Sequence, residues 1–170
     1  MKEAIRNEAG KLSGLKLSCA GRASNLFWIG FGDLLPVTKR GETSESAENT
    51  LHIQCSWRMT KGNKIIVASQ DFYSPNSDWD ENEEGFNWED QGSNRFDERI
   101  KSFMEDESDL IVDGIDSDNI GGLKVLLSKK YALEIFPDSS EDDDYSEFWR
   151  LISQNGNPHF IVSGKGIERV

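Results

Sequence analysis

Several strand-length segments of this chain return on themselves through turns too short to hold a helix. Leu123-Lys124-Val125-Leu126-Leu127-Ser128 is followed by Lys129-Lys130 and then by Tyr131-Ala132-Leu133-Glu134-Ile135-Phe136. Likewise Leu51–Arg58 is followed by Lys61-Gly62-Asn63 and then by Lys64-Ile65-Ile66-Val67-Ala68-Ser69. A parallel pair needs a crossover of about a dozen residues or more, so these neighbours can pair only antiparallel. Gly62 and Asn63 suit the positive φ angles of a tight hairpin. Pro137 ends the Tyr131–Phe136 strand, because proline has no N–H for the ladder. The expected class is α+β: a mainly antiparallel sheet of hairpins, with a half-barrel among the forms it can take, and one or two packed helices.

The remaining elements fill in that frame. Leu51, Ile53, Cys55 and Trp57 alternate with His52, Gln54, Ser56 and Arg58, the clearest strand pattern in the chain. Leu15–Cys19 also alternates, and Leu26–Phe31 is continuously apolar, as in a strand buried on both faces. Gly21–Asn25 is the expected turn between them, and the polar stretch Thr38–Thr50 a loop or wide hairpin connection. Leu110–Ile115 and His159–Val162 are further strands, the latter ended by Gly164 and Gly166; Glu147–Ile152 fits either a helical turn or a short strand. A short helix is expected over Lys2–Lys11. A second begins at Asn94, an N-cap residue with Asp97 three places on, and carries Phe96, Ile100 and Phe103 on one face. No repeat at 20–50 residue spacing is present. One domain over 1–170 is expected, with 71–94 as an excursion too long for an ordinary connection.

Charge is distributed unevenly along the 170 residues. Residues 1–70 hold ten Lys/Arg against six Asp/Glu, and residues 71–170 hold nine against twenty-five. The net charge is −12. Such a field repels phosphate backbones and anionic lipid, so neither nucleic acid nor membrane is expected as a partner. Charge of this kind serves solubility first, and its natural complement is a basic protein. No stretch approaches 18 apolar residues, and the start Met1-Lys2-Glu3-Ala4-Ile5-Arg6 lacks the apolar run of a secretory signal, so a cytoplasmic location is expected.

Few motifs carry chemistry. Cys19 and Cys55 stand in strand-like stretches, outside any CxxC or Cys/His cluster, and read as small buried hydrophobes. His52 and Cys55 fall on opposite strand faces, which excludes a dyad within that strand. No phosphate-cradling glycine loop and no zinc spacing is present, and no cofactor is indicated. Asp78, Asp80, Asn82 and Glu89 match positions 1, 3, 5 and 12 of a calcium-binding loop, but Glu83 stands where the turn needs glycine. The Asp142-Asp143-Asp144 run reads as a solvated loop. Aromatics accompany both acidic runs: Phe72, Tyr73, Trp79, Phe86 and Trp88 in the first, Tyr145, Phe148 and Trp149 after the second. Rings beside carboxylates suit a protein interface, or a loop that buries its rings as a second small core.

The stretches Leu51–Arg58, Asp71-Phe72-Tyr73-Ser74-Pro75, Gln91–Arg99, Gly121-Gly122-Leu123, Tyr131–Asp138, Phe148-Trp149-Arg150 and His159–Gly166 together form a signature. On it, Leu15 to Glu168 resembles a family of small bacterial proteins, a domain of unknown function. That resemblance implies no catalytic residue. In size and charge alone the chain is similar to immunity proteins of toxin systems.

Two functional readings follow. The first is a non-enzymatic interaction protein, in its most concrete form an immunity-type inhibitor of a basic toxin, with Asp78, Trp79, Trp88, Asp142, Asp143 and Trp149 at the interface. The alternative is a small-ligand binder or enzyme whose pocket gathers His52, Arg58, Asp71, Arg95 and His159.

Overall fold

The computed structural model describes residues 1–82, 85–143 and 145–170, with Lys39 described by its backbone alone. The fold is α+β, built on two antiparallel sheets. The first has six strands in the order β1-β2-β3-β9-β10-β11, and the second has five in the order β5-β4-β8-β7-β6. The strands are β1 (Leu17–Ala23), β2 (Leu26–Lys39), β3 (Glu42–Ile53), β4 (Ser56–Lys61), β5 (Lys64–Ala68), β6 (Val112–Ser117), β7 (Leu123–Leu127), β8 (Tyr131–Phe136), β9 (Glu147–Ser153), β10 (Phe160–Ser163) and β11 (Gly166–Arg169). Among the described residues, two α-helices, α1 (Lys2–Ala9) and α2 (Arg95–Asp106), and three short 3₁₀ turns at Gly10–Leu12, Ser69–Tyr73 and Ser128–Lys130 complete it.

The clearest strand pattern belongs to two strands, not one. β3 ends at Ile53, the chain crosses at Gln54-Cys55, and β4 begins at Ser56 in the other sheet. Both crossing amides donate to the Phe148 carbonyl, at 2.9 and 3.2 Å, which holds the corner. Alternation survives the crossing because both sheets turn their apolar face to one shared core. Leu51 and Ile53 enter it from the first sheet, Trp57 and Met59 from the second. The polar residues between them consequently point outward on opposite sides of the molecule. Phe27 stacks on Trp57 across the sheets, with centroids 4.1 Å apart, and Phe72 and Phe96 pack edge-on around them.

Each helix covers an edge. α2 lies against β1 and β5, one edge strand from each sheet, through Phe96, Ile100 and Phe103. Its start is capped as the sequence implies: Asn94 Oδ1 accepts from the Asp97 amide at 2.9 Å. α1 lies against β6 and reaches β11 through Arg169 Nη2, which donates to Glu8 Oε2 at 2.6 Å. None of the described helices is long and apolar enough to cross a membrane.

Three expected boundaries move. β1 runs through Gly21 and Arg22, and the turn is Ser24-Asn25, with Ser24 at φ 55°. Thr38–Thr50 is mostly strand: Leu34–Lys39 pairs with Glu42–Ala47 as the outer half of a long hairpin. Its polarity reflects exposure, because beyond Phe31 and Asn49 the hairpin pairs with no third described strand, and Ala47 is the one described apolar side chain buried there. Glu147–Ile152 is the strand β9, central in the first sheet, and Gly166 opens one more edge strand.

Candidate functional site

Arg22 holds the end of the 71–94 excursion, whose described residues are 71–82 and 85–94. Arg22 Nε donates to Asp97 Oδ1 at 2.7 Å and Nη2 to Asp97 Oδ2 at 2.8 Å. The two side chains are 1% and 8% exposed. The same guanidinium donates to the carbonyls of Ser24 and Asp90, at 3.2 and 3.0 Å. Asp97 also accepts from the Gly92 amide at 2.7 Å. Asn94 Nδ2 donates to the Trp88 carbonyl at 3.0 Å, and Ser93 Oγ to the carbonyls of Asn87 and Asp90 at 2.7 Å each. One buried ion pair thus joins the β1–β2 hairpin, the loop and the first turn of α2. Arg22 was expected in a turn; its pairing with Asp97 is a long-range contact that local pattern does not disclose.

The loop's rings divide between two environments. Phe72 is buried in the main core. Tyr73 meets Trp88 edge-on at 5.1 Å and Trp79 meets Phe86 at 6.1 Å. Trp79, Phe86 and Trp88 are half-buried, and Tyr73 is 46% exposed. Asp78 is exposed among them. Asp80 Oδ1 accepts from the amide and side chain of Asn82, at 2.9 and 2.7 Å. Glu83, which breaks the calcium-like frame, lies outside the described residues. No group of three or more His, Cys, Asp or Glu able to hold a metal occurs among the described residues.

Of the other proposed interface residues, Asp142 and Asp143 are exposed on the β8–β9 loop, and Asp144 lies outside the described residues. Trp149 must be removed from the set. It is 0% exposed, and its Nε1 donates to the Gly121 carbonyl at 2.8 Å. The period of β9 turns Trp149 and Leu151 inward and Arg150 outward.

The five residues of the alternative pocket fall in three places. Arg58, on the outer face of the second sheet, pairs with Glu134 at 2.5 Å and lies over the Phe136 ring. Glu134 is partly buried, which raises its pKa, but hydrogen bonds from Lys124 and Arg58 outweigh this and lower it. Asp71 and Arg95 pair with each other at 3.6 Å beside α2. His52 and His159 come together separately, on the outer face of the first sheet. The split follows from the crossing at Gln54-Cys55, which sends His52 and Arg58 to opposite outer faces.

His52 and His159 line a groove of about 990 Å3. Its floor is Cys19, Trp28, Ala47, Thr50 and Ile152, carried on β1, β2, β3 and β9. One wall is the outer β2–β3 hairpin, with Leu34, Glu45 and Ser46; the other is the β9–β10 connection, with Gln154, Asn157 and His159. Gln154 Nε2 donates to Ser46 Oγ at 3.2 Å, tying the walls together. Trp28, His52 and Arg150 are register neighbours across β2, β3 and β9. Arg150 is held by Glu147 through Nε and Nη2, and its Nη1 lies 3.4 Å from His159 Nδ1. Burial pushes the Cys19 thiol pKa up. Arg150 and Trp28 were not singled out from the sequence, although His52 on an outward strand position was the signal that led to this face.

Compared with known proteins, the chain matches no family model, no curated protein and no solved structure. The resemblance noted above therefore rests on its sequence motifs alone.

Proposed function

We propose that this protein acts by non-covalent recognition of a basic protein partner, through the acidic loop 71–94. The observation that carries this reading is the buried Arg22–Asp97 pair with its attached loop hydrogen bonds. A buried ion pair rarely adds stability over a well-packed apolar pair, so its value lies in fixing one conformation. The loop it anchors carries eight Asp/Glu and no Lys or Arg in its sequence, with Trp79 and Trp88 half-buried. Carboxylates steer a basic surface into place, and preorganised rings anchor it with little entropy lost. In its most concrete form the protein is a bacterial immunity-type inhibitor of a basic toxin.

The test is a pull-down from native lysate at low and high salt, with the captured protein identified and rebound in purified form. A basic partner released by salt, and bound far more slowly by the Asp78→Lys/Asp80→Lys variant, supports the reading. A partner whose binding ignores both salt and charge reversal overturns it.

A further inference from the structure

We propose that the groove on the outer face of the first sheet is a binding site for a small, neutral, planar heteroaromatic molecule, stacked on Trp28 and hydrogen-bonded at its edge. Small-molecule sites span roughly 300–1,000 Å3, and this groove, at about 990 Å3, is large enough for such a molecule with a substituent. The outer face of an antiparallel sheet is ordinarily polar and wet. Here the floor instead presents an indole, a thiol, a methyl and an isoleucine. Two glycines make that floor. A Cβ on Gly30 would stand 2.6 Å from both Ala47 Cβ and Cys19 Sγ, so only glycine lets these two close over the strand. The six-membered ring of Trp28 rests on Gly21, where a Cβ would collide with it. The indole stays half-buried and fronts the groove.

Charge decides the ligand class. The protein is strongly acidic, yet the side chains lining the groove among the described residues include one carboxylate, the exposed Glu45, and no Lys or Arg. An anionic ligand finds no ammonium or guanidinium in the lining, because nearby Arg150 already grips Glu147. A cation finds Glu45 as the one acidic side chain of the described lining. Around the indole stand Ser46, Thr50, Gln154 and Asn157, uncharged donors and acceptors, with the imidazoles of His52 and His159 beside them. A planar ring with nitrogen and oxygen at its edge matches an indole face ringed by such groups.

The full chain is titrated with adenosine, nicotinamide and indole-3-carboxamide, with cyclohexanecarboxamide as the non-planar control, and read by amide and indole NMR. At least one planar probe is expected to shift the Trp28 indole N–H and the Thr50 and His52 amides saturably. The control binds at least about tenfold more weakly, and Trp28→Leu weakens the planar probe by a similar factor. In the unmodified protein the bound probe also slows alkylation of Cys19, a readout that survives if the Leu variant fails to fold. Three results overturn the proposal: no saturable shift from any planar probe, an equal response to cyclohexanecarboxamide, or groove signals that change with protein concentration alone. The last would mean that a second copy of the chain occupies the groove.

Discussion

Arg22→Met removes the guanidinium from a pair that is 1% and 8% exposed and leaves the Asp97 carboxylate in place. Breaking a buried pair on one side costs about 3–5 kcal/mol, because the remaining charge is desolvated without its partner. Two features limit the loss: Asp97 keeps the Gly92 amide at 2.7 Å and sits in the first turn of α2, where the helix dipole favours an anion. Other losses add to it, since the Ser24 carbonyl loses the Arg22 donor and the Asp90 carbonyl keeps only Ser93. Asp97→Asn costs a similar amount, about 3–5 kcal/mol, because it leaves the Arg22 charge buried without a counterion and turns the new NH2 toward N–H donors that the two carboxylate oxygens accept. Urea unfolding followed by tryptophan fluorescence gives both values and, with the Arg22→Met/Asp97→Leu double variant, the coupling between the sites. The double variant is expected to recover much of the stability while the loop amides near Gly92 lose protection from hydrogen exchange. An Arg22→Met loss under about 1 kcal/mol, or a double variant whose loop stays protected, would refute the claim that this pair exists to hold the loop.

Three further outcomes are expected. Hydrogen bonds from Tyr131, Lys129 and Lys61 hold the Glu107 pKa at about 2, below its ordinary 4.5. A depressed carboxylate stabilises the fold fully above its unfolded pKa and stops doing so as pH falls between these two values, so Glu107→Gln should flatten the acid limb there. An unchanged acid titration would remove this role. Asn94→Ala costs about 0.5–2 kcal/mol as a lost cap, at the upper end because the Trp88 carbonyl also loses a donor; thermal unfolding measures it, and a cost near zero contradicts the cap. Burial, aided by the Asp138 charge, pushes the Cys55 thiol up to about 12, so a thiol reagent near pH 8 should leave Cys55 unmodified until the protein unfolds. Stoichiometric modification of Cys55 in the native state would show that its burial is wrong.

Local chemistry was legible in the residues themselves. The turns at Gly62-Asn63 and Lys129-Lys130, the stop at Pro137 and the cap at Asn94 are each decided within a few neighbours, so the antiparallel class and the α2 start could be read directly. The period of two also marked Leu51, Ile53 and Trp57 as core, because alternation reports which side is apolar whatever sheet supplies the partner. Which sheet that is depends on strands far along the chain. β3 pairs with β9 and β4 with β8, and only those pairings place the break at Gln54-Cys55. The same distant pairings turn Trp149 inward, send His52 and Arg58 to opposite faces, and set Trp28, His52 and Arg150 side by side. The partnership of Arg22 with Asp97 is of this kind too. A side chain's local pattern states that it is polar or apolar, whereas the identity of its partner is settled by packing between elements, where burial makes an unpaired charge costly.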